Sequence, residues 1–216
     1  MKILAVESSG ESLSVAISDN SKVIAESFYN AGKIHSEMLV PIIKRILKDV
    51  GWDLQDIDKF AVSSGPGSFT GIRVAMTVVK TLSQTLNKPV VSLDTLSVLE
   101  ANTGIRNIRI VAAIDALREE LYIKQNGRIV IISVKNFIKK YKKYKNDIVI
   151  TGNAAEIYKK IFSKEFGKQS VNLMSYLNFP RASTLAVIAS EKEGVSYKDI
   201  EPLYIRKSWA EEKQKK

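Results

Sequence analysis

The feature that most constrains how this chain can fold is an order of elements that occurs twice. Residues 2–8 are a short apolar run that meets an acid, Glu7. Strands are expected next over 13–18 and 22–29, joined as a hairpin by Asp19-Asn20. A helix follows over 34–50, a buried strand over 57–64, a helix over 71–86, a short strand over 90–93 and a helix over 95–102. Gly104 stands where a helix terminator often does. From residue 108 the order returns. Strands are expected over 108–116 and 120–125, with Asn126-Gly127 as a hairpin turn into a third over 128–134. A Lys- and Tyr-rich helix over 136–144, a strand over 148–151, a helix over 154–162 and a weak strand over 170–173 come next. The last helix is expected over 183–193, with Ser183 as its N-cap and Gly194 past its end. The order β-β-β-α-β-α-β-α is thus read twice, and each first strand ends on an acid, Glu7 or Asp115.

That duplication predicts an α/β fold of two tandem ribonuclease-H-like lobes with mixed sheets, of the actin and Hsp70 (ASKHA) type. The expected division is 1–102 and 103–216. Such folds place a nucleotide between the lobes, where the acid of each first strand can hold a metal and tight loops can offer N–H groups to phosphate. Fold alone does not establish an activity.

Composition removes several chemistries. The 216 residues include no cysteine and a single histidine, His35. Disulfides, zinc fingers, iron–sulfur clusters, thiol nucleophiles and multi-histidine metal sites are therefore excluded. No apolar run approaches the roughly 20 residues of a membrane helix, and the first strand is too short for a signal-peptide core. A soluble, cytoplasmic protein with no metal and no cofactor is expected. The net charge of +10 lies wholly in the second part. Residues 1–102 carry 10 basic and 11 acidic side chains, and residues 103–216 carry 23 and 12. Lysines outnumber arginines 25 to 8, although the planar arginine fork is the better phosphate reader.

Four stretches carry candidate chemistry. The loop Ser63-Ser64-Gly65-Pro66-Gly67-Ser68-Phe69-Thr70-Gly71 joins a buried strand to a helix. It lacks the lysine of a Walker A loop and the spacing of a dinucleotide fingerprint. It reads either as a phosphate cradle or as a rigid turn capped by Ser68 or Thr70. His35-Ser36-Glu37-Met38-Leu39 opens a helix, and a metal-binding pair would need a second ligand where Leu39 stands. No G-x-S-x-G elbow supports a hydrolytic triad of His35 with Ser36 or Ser64. The helices 34–50 and 71–86 each carry an apolar arc of about 200°, wider than packing on one sheet needs. Burial between neighbours and docking of a partner protein both account for that width. Pro41 lies within the first of these helices. Finally, Lys139-Lys140-Tyr141-Lys142-Lys143-Tyr144-Lys145 reads as RNA-binding or as a surface helix with both tyrosines turned inward. The tail, 207–216, is polar and expected to fray.

Five segments together resemble one family. They are Ile3-Leu4-Ala5-Val6-Glu7-Ser8-Ser9, His35 to Pro41, Ser64 to Arg73, Asp115-Ala116 with Glu120-Leu121-Tyr122, and Pro202-Leu203-Tyr204-Ile205-Arg206. The chain resembles the TsaB (YeaZ) family nearly end to end. The resemblance implies an accessory subunit of tRNA threonylcarbamoyladenosine (t6A) synthesis, not itself an enzyme. Its catalytic paralogue TsaD binds a metal through a histidine pair and modifies the adenosine beside the anticodon. The implied partners are TsaD, the ATPase TsaE, a second copy of the chain, and tRNA through the complex. The implied interface residues are His35, Met38, Leu39, Ile42, Ile46, Arg73, Val74, Thr77 and Val78. Glu7, Ser8, Ser9, Gly65, Gly67 and Ser68 are the candidates for a vestigial nucleotide or phosphate site. The alternative is an independent nucleotide-dependent kinase or hydrolase of the same fold. Two positions depart from the family: the opening acid is usually Asp where Glu7 stands, and an Arg usually follows Asp-Ala where Leu117 stands, ahead of Arg118.

Overall fold

The structure is a computed structural model that describes residues 1–30, 35–105, 107–171 and 174–206. Two mixed sheets carry the repeat. The first contains β1 (Lys2–Glu7), β2 (Leu13–Asp19), β3 (Lys22–Tyr29), β4 (Lys59–Gly65) and β5 (Val90–Asp94), in the order β3-β2-β1-β4-β5. β1 to β3 form an antiparallel meander, and β4 and β5 continue parallel to β1. The second contains β6 (Arg109–Asp115), β7 (Glu120–Gln125), β8 (Arg128–Ser133) and β9 (Ile148–Thr151), in the order β8-β7-β6-β9. It is the same topology without the fifth strand. The weak strand expected over 170–173 is a 3-10 turn, Lys168–Val171, and residues 172 and 173 lie outside the described residues. Gly167, at φ +95°, starts that turn, and Ser170 closes it with N–H and Oγ bonds to the Gly167 carbonyl.

Seven helices complete the described chain: α1 (His35–Val50), α2 (Phe69–Leu86), α3 (Thr95–Asn102), α4 (Val134–Tyr141), α5 (Asn153–Ile157), α6 (Lys159–Phe166) and α7 (Ala182–Ser190). The helix expected over 154–162 is therefore two, broken at Tyr158. The period-2 alternation of the strands sorts the helices into layers. Leu4 and Val6 of β1 face α1 and α2, whereas Ile3 and Ala5 face α7. Val111 and Ala113 of β6 face α4, α5 and α6, whereas Ala112 and Ile114 face α3. α3 is shared between the sheets: Val98 packs with α7 and the first sheet, and Leu96 and Leu99 pack on the second. The result is five layers: α1–α2, first sheet, α3–α7, second sheet, α4–α6.

The expected division at 102 and 103 separates the two sheets. Residues 182–206, however, return from the second lobe to the first. Ala182, Ala186 and Ala189 of α7 meet Ala5, Ala16 and Ala61, so helix and sheet approach closely. The helix starts one residue before the expected N-cap Ser183. Its N-terminus is held by Glu26 of β3, which accepts from Ser183 N and Oγ, from Ser14 Oγ and from the Arg181 guanidinium at 2.8 Å. At the other end the buried Lys59 Nζ donates to the carbonyls of Ala189 and Lys192, where the helix dipole favours a cation. Val195 then pairs with Val90, and Ile200 enters the first core.

Burial pushes the Glu26 carboxyl up, but Arg181, Ser14 and Ser183 outweigh it and hold it below its ordinary value of 4.5. A carboxyl depressed by folding contributes stability that is present above its unfolded pKa and is lost as pH falls through the folded one. Glu26→Gln is expected to lower the unfolding free energy by roughly 2–3 kcal/mol at pH 7. In urea titrations across pH, the gap between the variant and the parent should narrow below about pH 4.5.

Candidate functional site

The first strand of each lobe ends at a loop that could hold a phosphate or a metal, and in the first lobe that apparatus is turned inward. Glu7 is fully buried. Its Oε1 accepts from Ser9 N at 2.7 Å and Ser9 Oγ at 2.5 Å, and its Oε2 accepts from Ser63 Oγ. The glycine loop closes against the same residues. Ser68 N donates to the Ser9 carbonyl at 2.6 Å, and Ser8 Oγ donates to the Gly71 carbonyl at 2.7 Å. Ser68 is the N-cap of α2, with its Oγ accepting from Gly71 N. A Cβ on Gly67 would stand 2.0 Å from the Ser9 carbonyl oxygen, so the approach of the two loops requires glycine. One carboxylate, two backbone segments and four hydroxyls satisfy one another here.

Between the lobes lies a cavity of about 930 Å³. Ser9, Gly67 and Ser68 line it, together with Leu99, Asp115, Arg118 and Tyr122 from the facing elements. Glu7, Ser8 and Gly65, the other three candidates for a phosphate site, do not. Asp115 accepts from the Tyr158 hydroxyl at 3.0 Å, and burial together with that carboxylate pushes the Tyr158 phenol up to about 12. The turn after Asp115 runs through three left-handed residues, Leu117, Arg118 and Glu119, and leaves Leu117 70% exposed at the cavity lip. The lobes are tied on both sides of the cleft. Lys124 Nζ reaches Asp94 at 2.9 Å and Ser97 Oγ at 2.6 Å, and Arg206 reaches the Ala116 carbonyl and Glu120. The segment that carries Arg206 first follows the first lobe, where Leu203 N donates to the Ser64 carbonyl.

The outer face of the first lobe corrects part of the expected interface. Leu39, Ile42 and Ile46 are at most 3% exposed and belong to the core under β1, β2 and β4. Each contributes roughly 1.5–3 kcal/mol of burial within the chain itself, and none is available to a partner. The wide arc of α1 reflects packing on the sheet and on α2 together. Met38, Val74 and Val78 are half-buried at the edge of that core, and Arg73 and Thr77 are exposed beside them. The side chain of His35 lies outside the described residues, as does the tail 207–216. Sequence reasoning missed the Arg73 environment: its guanidinium lies 3.8 Å from the Phe69 ring centroid, and its Nε donates to the Tyr204 hydroxyl at 2.7 Å. The only signal was that Phe69, Arg73 and Tyr204 all lie in the segments that carry the family resemblance.

The residues do not fit the histidine-pair metal site of the paralogue. The sequence has one histidine, and the position one turn on is the buried Leu39. Fold and site together define a two-lobed ribonuclease-H-like protein whose first-lobe glycine loop is closed against the end of β1. Residues 23–214 match the family described as TsaD, tRNA N6-adenosine threonylcarbamoyltransferase. The Bacillus subtilis (strain 168) protein called tRNA threonylcarbamoyladenosine biosynthesis protein TsaB is 29% identical over 223 residues, covering 99% of this chain and 97% of its own. The Escherichia coli (strain K12) protein of the same name is 33% identical over 124 residues, 56% of this chain and 53% of its own. A crystal structure of a Pseudomonas aeruginosa protein described as similar to the peptidase YeaZ superposes with a TM-score of 0.77 at 25% identity, over 95% of this chain and 99% of that one. YeaZ from Pseudomonas aeruginosa shares the fold with a TM-score of 0.71 at 24% identity, over 94% and 99% of the two chains. The chain belongs to the TsaD family and, within it, to the TsaB (YeaZ) members.

The Gly67 contact makes a quantitative expectation. Gly67→Ala must push the two loops apart and should cost at least about 2 kcal/mol. Gly104→Ala, at φ +61° with nothing within 4 Å, should cost about 1 kcal/mol from backbone strain alone. Urea midpoints of the two variants test the difference.

Proposed function

We propose that this chain is a non-catalytic subunit of t6A biosynthesis that docks a TsaD-type threonylcarbamoyltransferase on the outer face of its first lobe. The observation that carries this reading is a pairing. The loop and acid that would serve chemistry in the first lobe are consumed by internal hydrogen bonds, while Met38, Val74 and Val78 remain half-open on the opposite side of the same sheet's helices. Arg73 and Thr77 flank them as a polar rim, the arrangement common at protein interfaces. The names of the relatives support the pathway, and the TsaD match supports an association with a TsaD-type protein. In the complex the catalytic partner transfers threonylcarbamoyl to the adenosine beside the anticodon, and the ATPase TsaE joins it in the cytoplasm. In the partner's absence the same face pairs two copies of this chain. Chemistry then resides in the partner, and this chain positions it. The alternative, a nucleotide-dependent kinase or hydrolase, is favoured only by the size of the interlobe cavity.

The test is capture of the TsaD protein of the same genome by the purified chain. Val78→Glu and Thr77→Glu are expected to weaken capture by roughly thirtyfold, the effect of about 2 kcal/mol at an interface hot spot. Thr77 is exposed, so its variant should melt like the parent. Undiminished capture by both variants would remove the interface assignment. ATP turnover by the chain alone, abolished by Ser68→Ala, would favour the alternative.

A further inference from the structure

The positive charge of this chain is assembled on one face, and that face lies at the opposite end of the molecule from α1 and α2. Ten lysines and three acids lie between residues 134 and 168, and all ten lysines are exposed. Nine of them come from α4, the turn after it and α6, and the tenth, Lys168, opens the 3-10 turn that follows. Phe137 of α4 stacks on Phe162 and Phe166 of α6 at 5.4 and 5.9 Å between centroids, so the two helices share one core and present one outer surface. Helical spacing puts Lys139 and Lys143 about half a turn from Phe137 and Tyr141, and Lys160 and Lys164 about half a turn from Phe162 and Phe166. The ion pairs described on this face engage Lys142 with Glu165 and Lys159 with Glu156. Lys139, Lys140, Lys143, Lys160 and Lys164 are exposed and in none of the ion pairs described, with Lys140 Nζ 5.9 Å from the Tyr141 ring centroid and Lys143 Nζ 5.1 Å from that of Tyr144.

The chemistry of the face selects its occupant. Tyr141 is 6% exposed, and Tyr144 is half-buried with the Arg109 guanidinium 4.0 Å from its ring centroid. Neither ring is presented for stacking on a base. What remains is a field of flexible point charges on two packed helices, suited to a phosphate backbone and unable to read sequence. From this we propose that α4, α6 and the turn between 142 and 145 bind the backbone of tRNA directly and without base specificity. The step rests on the function proposed above for the choice of tRNA among polyanions. The face lies outside the second sheet, three layers beyond the first, so docking of a protein on α1 and α2 leaves it open.

The experiment is anisotropy of a labelled tRNA transcript with the full chain, between about 50 and 200 mM salt. The logarithm of affinity should fall linearly with the logarithm of salt. The triple variant Lys139→Gln, Lys140→Gln, Lys143→Gln should lower the slope by about 2–3 and the affinity near 0.1 M by at least tenfold. An unrelated RNA of equal length should bind as the tRNA does. Lys44→Gln with Lys48→Gln on α1 should change neither quantity. A salt-independent parent, an unaltered triple variant, or an equal loss in the α1 pair would overturn the proposal. So would binding to phosphatidylserine vesicles in place of tRNA, since Ile161 of α6 is exposed, as is Ile157 at the end of α5 just before it. Capture of the TsaD protein is read separately on each variant. Loss of capture with tRNA binding intact removes the docking proposal alone, and the reverse removes this one alone.

Discussion

The carboxylate of Glu26 fixes the middle layer on which both lobes rest. It accepts from Arg181, Ser183 and Ser14, so that β2, β3 and the start of α7 meet at one charge. Arg181 and Glu26 retain 22% and 13% side-chain exposure, so the pair avoids the full desolvation cost of a buried ion pair while keeping most of its geometry. Lys59 closes the far end of the same helix. With α7 clamped at both ends, its alanine face meets the alanines of the first sheet, and α3 beside it meets the second. Loss of the clamp would loosen the surface against which α3 holds the two sheets together. The chain enters the second lobe and comes back, which makes two duplicated units into one body.

The loops at the end of β1 and after β4 are held to each other by their own hydrogen bonds. The buried Glu7 carboxyl reaches Ser9 and Ser63 at once, so both of its oxygens have hydrogen-bond partners. Ser68 N, one of the N–H groups that a helix start offers to an anion, is given to the Ser9 carbonyl. The glycine of the loop is kept because the two backbones touch, with no ligand needed to account for it. In the second lobe Asp115 is occupied in the same sense by Tyr158.

Much of this was legible in the sequence, and the parts that were not share a cause. Strand order, hairpins and helices follow from local periodicity and turn residues, which act over a few positions, so Asn126-Gly127 and Ser68 stand where they were expected. The return of α7 was hidden because it depends on Arg181 finding Glu26, 155 positions away. The strand expected near 170 failed because Gly167 and Ser170 favour a turn that apolar Val171 alone cannot oppose. The α1 arc was read correctly as too wide for one sheet, but periodicity cannot say whether the surplus faces α2 or a partner. The structure gives Leu39, Ile42 and Ile46 to the core and leaves only Met38 and the α2 edge half-open.

Leu39 joins these threads. A histidine there would have to point a polar nitrogen toward a metal, and the helix could not then bury that position against β1 and β2 without an unsatisfied group. With leucine at 0% exposure, α1 has a core contact at this position. A helix packed in this way is held by its sheet, which suits the docking face proposed for it, because side chains already ordered lose little entropy on binding. The second lobe has an aromatic core of Phe137, Phe162 and Phe166 beneath an outer surface rich in lysine. The near-neutral and the basic halves are thus two ends of one stack of layers. A protein on α1 and α2 and a polyanion on α4 and α6 would not compete for surface, and each would meet an element already fixed by the layers between them.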